Sequence, residues 1–218
     1  MSTIRNKVYP AVLAIGLFAA PMAYSAGGDV GFGGGGSIYI NRTVTSPAGD
    51  ATVGLKPGFA VSGWLGQNLY PLIGGELRYT FEKNDLKLNA PGTGEYTFSG
   101  QSHSIHYDLL IHGAPVGSPV RPFVAVGGGV KGYYGTGEET PNQPGQTIVI
   151  LSKTSEWKPL VVFGGGVKFK ASDSVEVRVE VYDYFSQVPN KVIAPAPGAE
   201  FSGWFHNFVP SVGISFRF

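Results

Sequence analysis

No cysteine occurs among the 218 residues, which excludes disulfides, thiolate zinc sites and attachment through a lipid-modified cysteine. Long apolar runs are missing too. The longest near the N-terminus, Ala11 to Ala20, spans 10 residues, about half the ~20 that a transmembrane helix requires. Charge is scarce and nearly balanced, with 16 Lys and Arg against 15 Asp and Glu, so nucleic acid is not an expected partner. Histidine is limited to four positions. His103 and His106 differ by an odd number and would fall on opposite faces of a strand; His112 and His206 lie elsewhere, so no pair has metal-ligand spacing. No metal or other cofactor is expected.

The first 26 residues account for the short apolar run. Arg5 and Lys7 precede it, Pro21 ends it, and Ala23-Tyr24-Ser25 supplies small residues at a cleavage site. This pattern predicts a secretory signal peptide over 1–26, leaving residues 27–218 as a single domain. Loss of Arg5 and Lys7 leaves 14 basic against 15 acidic residues. An exported chain without disulfides needs another source of stability. The 33 glycines and the 25 residues of Tyr and Phe suit an all-β domain of roughly 190 residues, within the size that barrels reach as single units.

Alternation supports that choice. In "SVEVRVEVYDYF", Val175, Val177, Val179 and Val181 share one face, and Glu176, Arg178 and Glu180 share the other, the period-two signature of a strand. Glu76, Arg78 and Thr80 likewise oppose Ile73, Leu77, Tyr79 and Phe81; Ser104, His106 and Asp108 oppose Ile105, Tyr107, Leu109 and Ile111. Eight segments follow this rule: 28–40, 57–67, 71–82, 96–112, 120–134, 156–170, 174–186 and 204–218. The connections at 41–56, 83–95, 135–155 and 187–203 are long and polar, whereas those at 68–70, 113–119 and 171–173 are short. Long and short loops in alternation belong to an eight-stranded antiparallel up-and-down transmembrane β-barrel, with the long loops outside the cell.

"PFVAVGGGVK" at Pro122–Lys131 returns as "PLVVFGGGVK" at Pro159–Lys168. A phosphate-binding loop would need a helix beginning after the glycines, but a strand continues in both copies. The two segments are therefore expected to pair as antiparallel neighbours. Glycine inside a strand marks sharp curvature or a close approach by a side chain.

Alternation by itself also fits a soluble, lipocalin-type barrel with an apolar interior. Pooling the strands separates the two cases. Glu76, Arg78, Asp108, Lys131, Lys168, Glu176, Arg178 and Glu180 collect on the polar face with Gly and Ser between them, a mixture that suits a lumen closed by ion pairs. Tyr79, Tyr107, Tyr134 and Trp157 fall near strand ends, where interfacial aromatic belts sit. The ending "VGISFRF" places Val212, Ile214, Phe216 and Phe218 on one face. It resembles the C-terminal signal of bacterial outer-membrane barrels, and the hairpins built from "RPFVAVGGGVKGYYG" and "FGGGVKFKASDSVEVRVEVYDYF" resemble those of the small OmpA/OmpX-type superfamily. The resemblance implies the bacterial outer membrane as location, its lipid and lipopolysaccharide as surroundings, and the barrel-assembly machinery as a partner. No peptidoglycan-binding domain after the barrel is expected.

Ser104, His106 and Asp108 imitate the residue types of a hydrolase triad. Residues two apart on a strand have Cα atoms ~7 Å apart with parallel side chains, too far for a base that must come within ~3 Å of its nucleophile. The His-x-Ser pattern of lipid A deacylases is not matched, since Ser104 directly follows His103. No catalytic residue is assigned. The expected role is non-enzymatic, structural or through contacts of the surface loops "TGEETPNQPGQT" and "NKVIAPAPGAE" with an extracellular partner. The alternatives are a narrow channel for small or apolar solutes, and a lipid A-modifying hydrolase.

Overall fold

A computed structural model describes residues 27–218; the expected signal peptide at 1–26 lies outside the described residues. In chain order the strands are β1 (Gly28–Tyr39), β2 (Arg42–Ser46), β3 (Gly49–Leu55), β4 (Gly58–Tyr70), β5 (Ile73–Lys83), β6 (Leu86–Ala90) and β7 (Gly94–Phe98). They continue with β8 (Gly100–His112), β9 (Val120–Gly135), β10 (Val149–Leu151), β11 (Ser155–Lys170), β12 (Val175–Gln187), β13 (Ile193–Pro195) and β14 (Trp204–Arg217). Eight of them close into an antiparallel barrel in the order β1, β14, β12, β11, β9, β8, β5, β4. The seam pairs Phe32 with Ile214 on one side of β1 and with Gly63 on the other.

Each barrel strand coincides with one expected segment, with two adjustments. The segment at 96–112 divides at Ser99, because its first part is β7 and leaves the barrel. The turn expected at 68–70 falls at Pro71–Leu72, since β4 runs on to Tyr70, which pairs with Ile73 after a bulge.

The triple-glycine copies pair as expected. Val167 faces Pro122, Val161 faces Gly128, and Pro159 faces Val130. Gly164 and Gly166 point inward, where an added Cβ would collide with the ring of Tyr182 and the side chain of Glu180. Gly127 stands in the same relation to Asp108. Elsewhere in the lumen Gly31 and Gly213 clear space for the indole of Trp64.

The faces divide as hydrocarbon demands. Phe32, Val61, Val124, Phe163, Val181 and Val212 stand exposed on the outer wall, while Glu76, Arg78, Lys131 and Arg178 are buried inside. Such an apolar exterior would be an aggregation site in water and is an ordinary surface in lipid. The lumen also has an apolar sector of Leu110, Phe123, Ala125, Leu160, Val162 and Val209.

The long connections are not the unconstrained loops that their composition suggests. β2, β3, β6 and β7 form a four-stranded sheet, and β10 pairs with β13. Both sheets cover a core of their own that includes Val44, Val53, Leu88, Val149, Leu151 and Ile193. Within the first quoted loop, the Gln143 side chain is clamped in both directions to the backbone of Leu151, at 2.8 and 3.0 Å. Within the second, Val192 and Ile193 are fully buried. The barrel thus carries a folded cap over the end opposite its termini.

Glycine substitutions divide by face. Gly31→Val drives a side chain into Trp64 and should lower stability by about 1–3 kcal/mol. Gly34→Ala on the outer wall, where the nearest atom to an added Cβ is 3.6 Å away, should leave it unchanged. Urea titrations of the refolded barrel in detergent measure both, and equal effects would contradict the assignment.

Candidate functional site

The functional candidates are the lumen and the cap above it. At mid-height, Glu76 and Arg78 project from β5 and meet Arg178 and Glu180 from β12. Arg78 holds Glu180 through Nη1 at 2.6 Å and Nη2 at 3.1 Å, and donates from Nε to Glu76 at 2.9 Å. Arg178 donates to Glu76 at 2.6 Å and lies 2.9 Å from Glu180. Two cations and two carboxylates therefore close a ring with no net charge. The Trp64 ring lies 4.8 Å from the Arg78 guanidinium carbon and 4.4 Å from that of Arg178, and Tyr182 covers Arg78 at 4.4 Å. These contacts let cation–π attraction add to the ion pairs. Trp64 Nε1 in turn donates to Asp29 at 3.2 Å.

Nearer the cap, Lys131 Nζ donates to Glu82 at 2.6 Å, and the other oxygen of Glu82 accepts from Ser37 at 2.7 Å and Asn207 at 2.6 Å. The Lys131 ammonium sits 5.2 Å from the Tyr39 ring and 5.0 Å from that of Tyr184. A second polar chain links Ser62 to Thr80 at 2.9 Å, Thr80 to Tyr184 at 3.0 Å, and Tyr184 to His106 at 3.3 Å.

The eight polar residues expected in one network divide among several contacts. Only Glu76, Arg78, Arg178 and Glu180 meet. Lys131 is bound by Glu82, a residue the alternation of Glu76, Arg78 and Thr80 would have reached with one more step of two. Asp108 contacts His106 at 2.8 Å. Lys168 stands 4.0 Å from Asp29, and Glu176 stands 3.5 Å from Arg217. Trp64, Tyr182 and Tyr184 were not singled out by sequence, although each follows the inward parity of its strand.

The triad imitation stops at two members. His106 Nδ1 faces Asp108, its Nε2 faces Tyr184, and the buried Ser104 Oγ has no hydrogen-bond partner. Nothing therefore polarises that hydroxyl. Among the described residues no three His, Asp or Glu side chains are grouped to hold a metal ion.

On the outer wall, aromatic side chains gather towards the capped end. Tyr79 shares a 2.7 Å hydrogen bond with His103, Tyr134 packs edge-on against Trp157, and Trp204 stacks on Phe185 at 4.7 Å. This is where an interfacial belt belongs. The cap's outer face is polar. Thr43, Thr52, Asn89 and Glu95 form a row across its four strands, beside an open recess of about 460 Å³ that Asp50 and Pro91 also line.

Residues 11–216 match the outer membrane protein beta-barrel domain. The chain belongs to that family. A comparison with curated protein sequences returns no match. Among solved structures, neisserial surface protein A is similar with a TM-score of 0.53 and 14% identity, over 88% of this chain and 97% of that one. The N-terminal barrel of Pseudomonas aeruginosa OprF gives 0.47 and 13%, over 87% and 97%. Outer membrane protein W of E. coli gives 0.42 and 15%, over 89% and 100%. At these identities the likeness concerns the fold. Family membership places this barrel in the bacterial outer membrane, and the lipocalin-type alternative falls with its apolar exterior.

Truncating one member of the central ring leaves a buried charge unpaired. Arg78→Met should destabilise the barrel by about 3–5 kcal/mol, and Arg78→Met with Glu180→Leu by clearly less than the sum of the single changes. A double-mutant cycle on urea unfolding in detergent reads the coupling; strict additivity would refute the ring.

Proposed function

We propose that this outer-membrane barrel is a sealed anchor whose cap makes contact with an extracellular partner, a non-enzymatic structural and interaction role. One observation carries the proposal: the lumen is filled by its own side chains and the cap is folded directly over it. An eight-stranded barrel has an interior just wide enough for side chains. Here that interior is taken up by Arg78, Arg178, Trp64, Tyr182, Tyr184 and Lys131, all buried. Tyr39, Tyr133 and Phe205 at the barrel mouth belong to the cap's apolar core, which ties the two parts together. The partner surface is the polar row of Thr43, Thr52, Asn89 and Glu95 with its recess, since that face is turned away from the cap core.

The lipid-facing wall meets outer-membrane lipid and lipopolysaccharide. In the same proposal, Val212, Ile214, Phe216 and Phe218 are the strand face presented to the barrel-assembly machinery. Among the described residues Phe218 is the most exposed of the large apolar side chains, and its backbone already pairs with Gly28 at 2.9 and 3.0 Å.

Planar-bilayer recordings of the purified barrel should show no sustained single-channel steps. Regular conductance would overturn the sealed anchor and favour the narrow channel. Phe218→Ser keeps the backbone pairing and should lower the fraction of heat-modifiable barrel recovered from membranes several-fold. Unchanged recovery would remove the C-terminal face from the assembly signal.

A further inference from the structure

The end of the lumen opposite the cap holds cations that its carboxylates do not satisfy. Arg121 pairs with Lys168 across β9 and β11, and Lys168 pairs with Arg178 across β11 and β12, so three cations stand in one row on the lumen face. Like charges directly opposite one another destabilise a sheet. Arg178 is neutralised by the central ring. The other two lack a close ion pair. Arg121, 2% exposed, donates only to neutral oxygens, those of Ala114 at 3.1 Å, Asn68 at 3.1 Å and Pro71 at 3.2 Å. Lys168, 4% exposed, has its nearest carboxylate oxygen on Asp29 at 4.0 Å, and the other oxygen of Asp29 accepts from Trp64. The remaining acid at this level, Glu176, attracts Arg121 and Lys168 as well as Arg217, 3.5 Å away, so two carboxylates, Asp29 and Glu176, face three cations.

A second observation concerns His112. It is 4% exposed, neither ring nitrogen has a hydrogen-bond partner, and its ring centroid lies 5.9 Å from that of Phe123, the residue opposite it on β9. Phe123 also lies 5.9 Å from the Lys168 ammonium, so His112 and Lys168 both approach one apolar ring. Leaving a buried donor unused costs about 1–3 kcal/mol, and a bound acceptor removes that cost. Below this level a recess of about 190 Å³ at the mouth is lined by Asn68 and Arg217 with Gly27, Gly28, Asp173 and Phe218, and Asn68, which accepts from Arg121, links it to the row of cations.

We propose that the periplasmic mouth of the lumen binds a phosphate-type oxyanion between Arg121 and Lys168, with a ring N–H of His112 as a further donor. The anion supplies the negative charge that the row of cations lacks, and its oxygens satisfy guanidinium, ammonium and imidazole together. A free periplasmic oxyanion and the phosphate of an inner-leaflet phospholipid share this chemistry.

The test uses the processed barrel with isotope-labelled histidine in a maltoside detergent, titrated with inorganic phosphate against chloride at constant ionic strength. The ring signals of His112 should move saturably, while those of His103, His106 and His206 stay in place. Lys168→Gln and Arg121→Gln should each weaken the apparent affinity about tenfold, equivalent to ~1.4 kcal/mol, and Lys168→Arg should retain it. In a second arm, nanodiscs with and without phosphatidylglycerol replace the detergent. A response to lipid alone assigns the oxyanion to the headgroup, and a response to inorganic phosphate assigns it to solution. No saturable response in either arm overturns the site. So does a response that persists in the double variant Arg121→Gln, Lys168→Gln, provided that variant migrates as a folded barrel on unheated gels.

Discussion

Hydrocarbon offers no hydrogen-bond partner, and the rest of this structure follows from that lack. Strand edges cannot be left open in lipid, so eight strands close on themselves, and every strand then presents one side chain in two to a narrow interior. Charges on the inward positions leave water at a cost of several kcal/mol per ion. The ring of Glu76, Arg78, Arg178 and Glu180 offsets that cost through a two-pronged contact between Arg78 and Glu180, short bonds of 2.6 Å, and an indole against both guanidinium groups. Its charges cancel within the ring, so the ring adds no net charge to the lumen.

The same narrowness explains the glycines. Trp64, Tyr182 and Tyr184 fill an interior that would not admit them if the facing strands also carried inward side chains. Gly31 and Gly213 yield to Trp64, and Gly164 yields to Tyr182. Glycine weakens a strand by about 0.5–1 kcal/mol relative to alanine, a modest loss beside the area that three aromatic rings bury. The repeated triple glycine is thus one local solution used on two adjacent strands, each placing small residues where a neighbouring strand's backbone or side chain comes close.

Period two made the barrel strands and their faces legible, because each of the eight segments repeats it over many residues and hydrocarbon enforces an apolar outer wall. The cap escaped that logic. Its strands run for three to seven residues, too short for a period to stand out, and their partners come from different connections: Leu55 on β3 meets Leu86 on β6, and Leu151 on β10 meets Ile193 on β13. The layering of the lumen was hidden for a related reason. Which inward cation meets which carboxylate depends on contacts across the barrel, such as Arg78 with Glu180 over 102 residues of sequence. Alternation states which way a side chain points and nothing about its height along the axis. Lys131 was therefore grouped with Glu76 although Glu82 holds it.

Height along the axis also decides how firmly the cap is seated. Tyr39 and Tyr133 have their rings in the cap's apolar core, yet the Tyr39 hydroxyl donates to Glu82 at 3.2 Å and the Tyr133 hydroxyl lies 2.6 Å from Ser186. Glu82 is the carboxylate that neutralises Lys131. Lifting the cap would draw those rings from their core and loosen the hydrogen bonds around the one buried acid that compensates a buried lysine. The resulting losses fall together, since Glu82 is the carboxylate that Lys131 bonds directly. Cap and lumen are thus tied through Glu82, and that tie supports the proposed reading of a fixed surface over that of a gate.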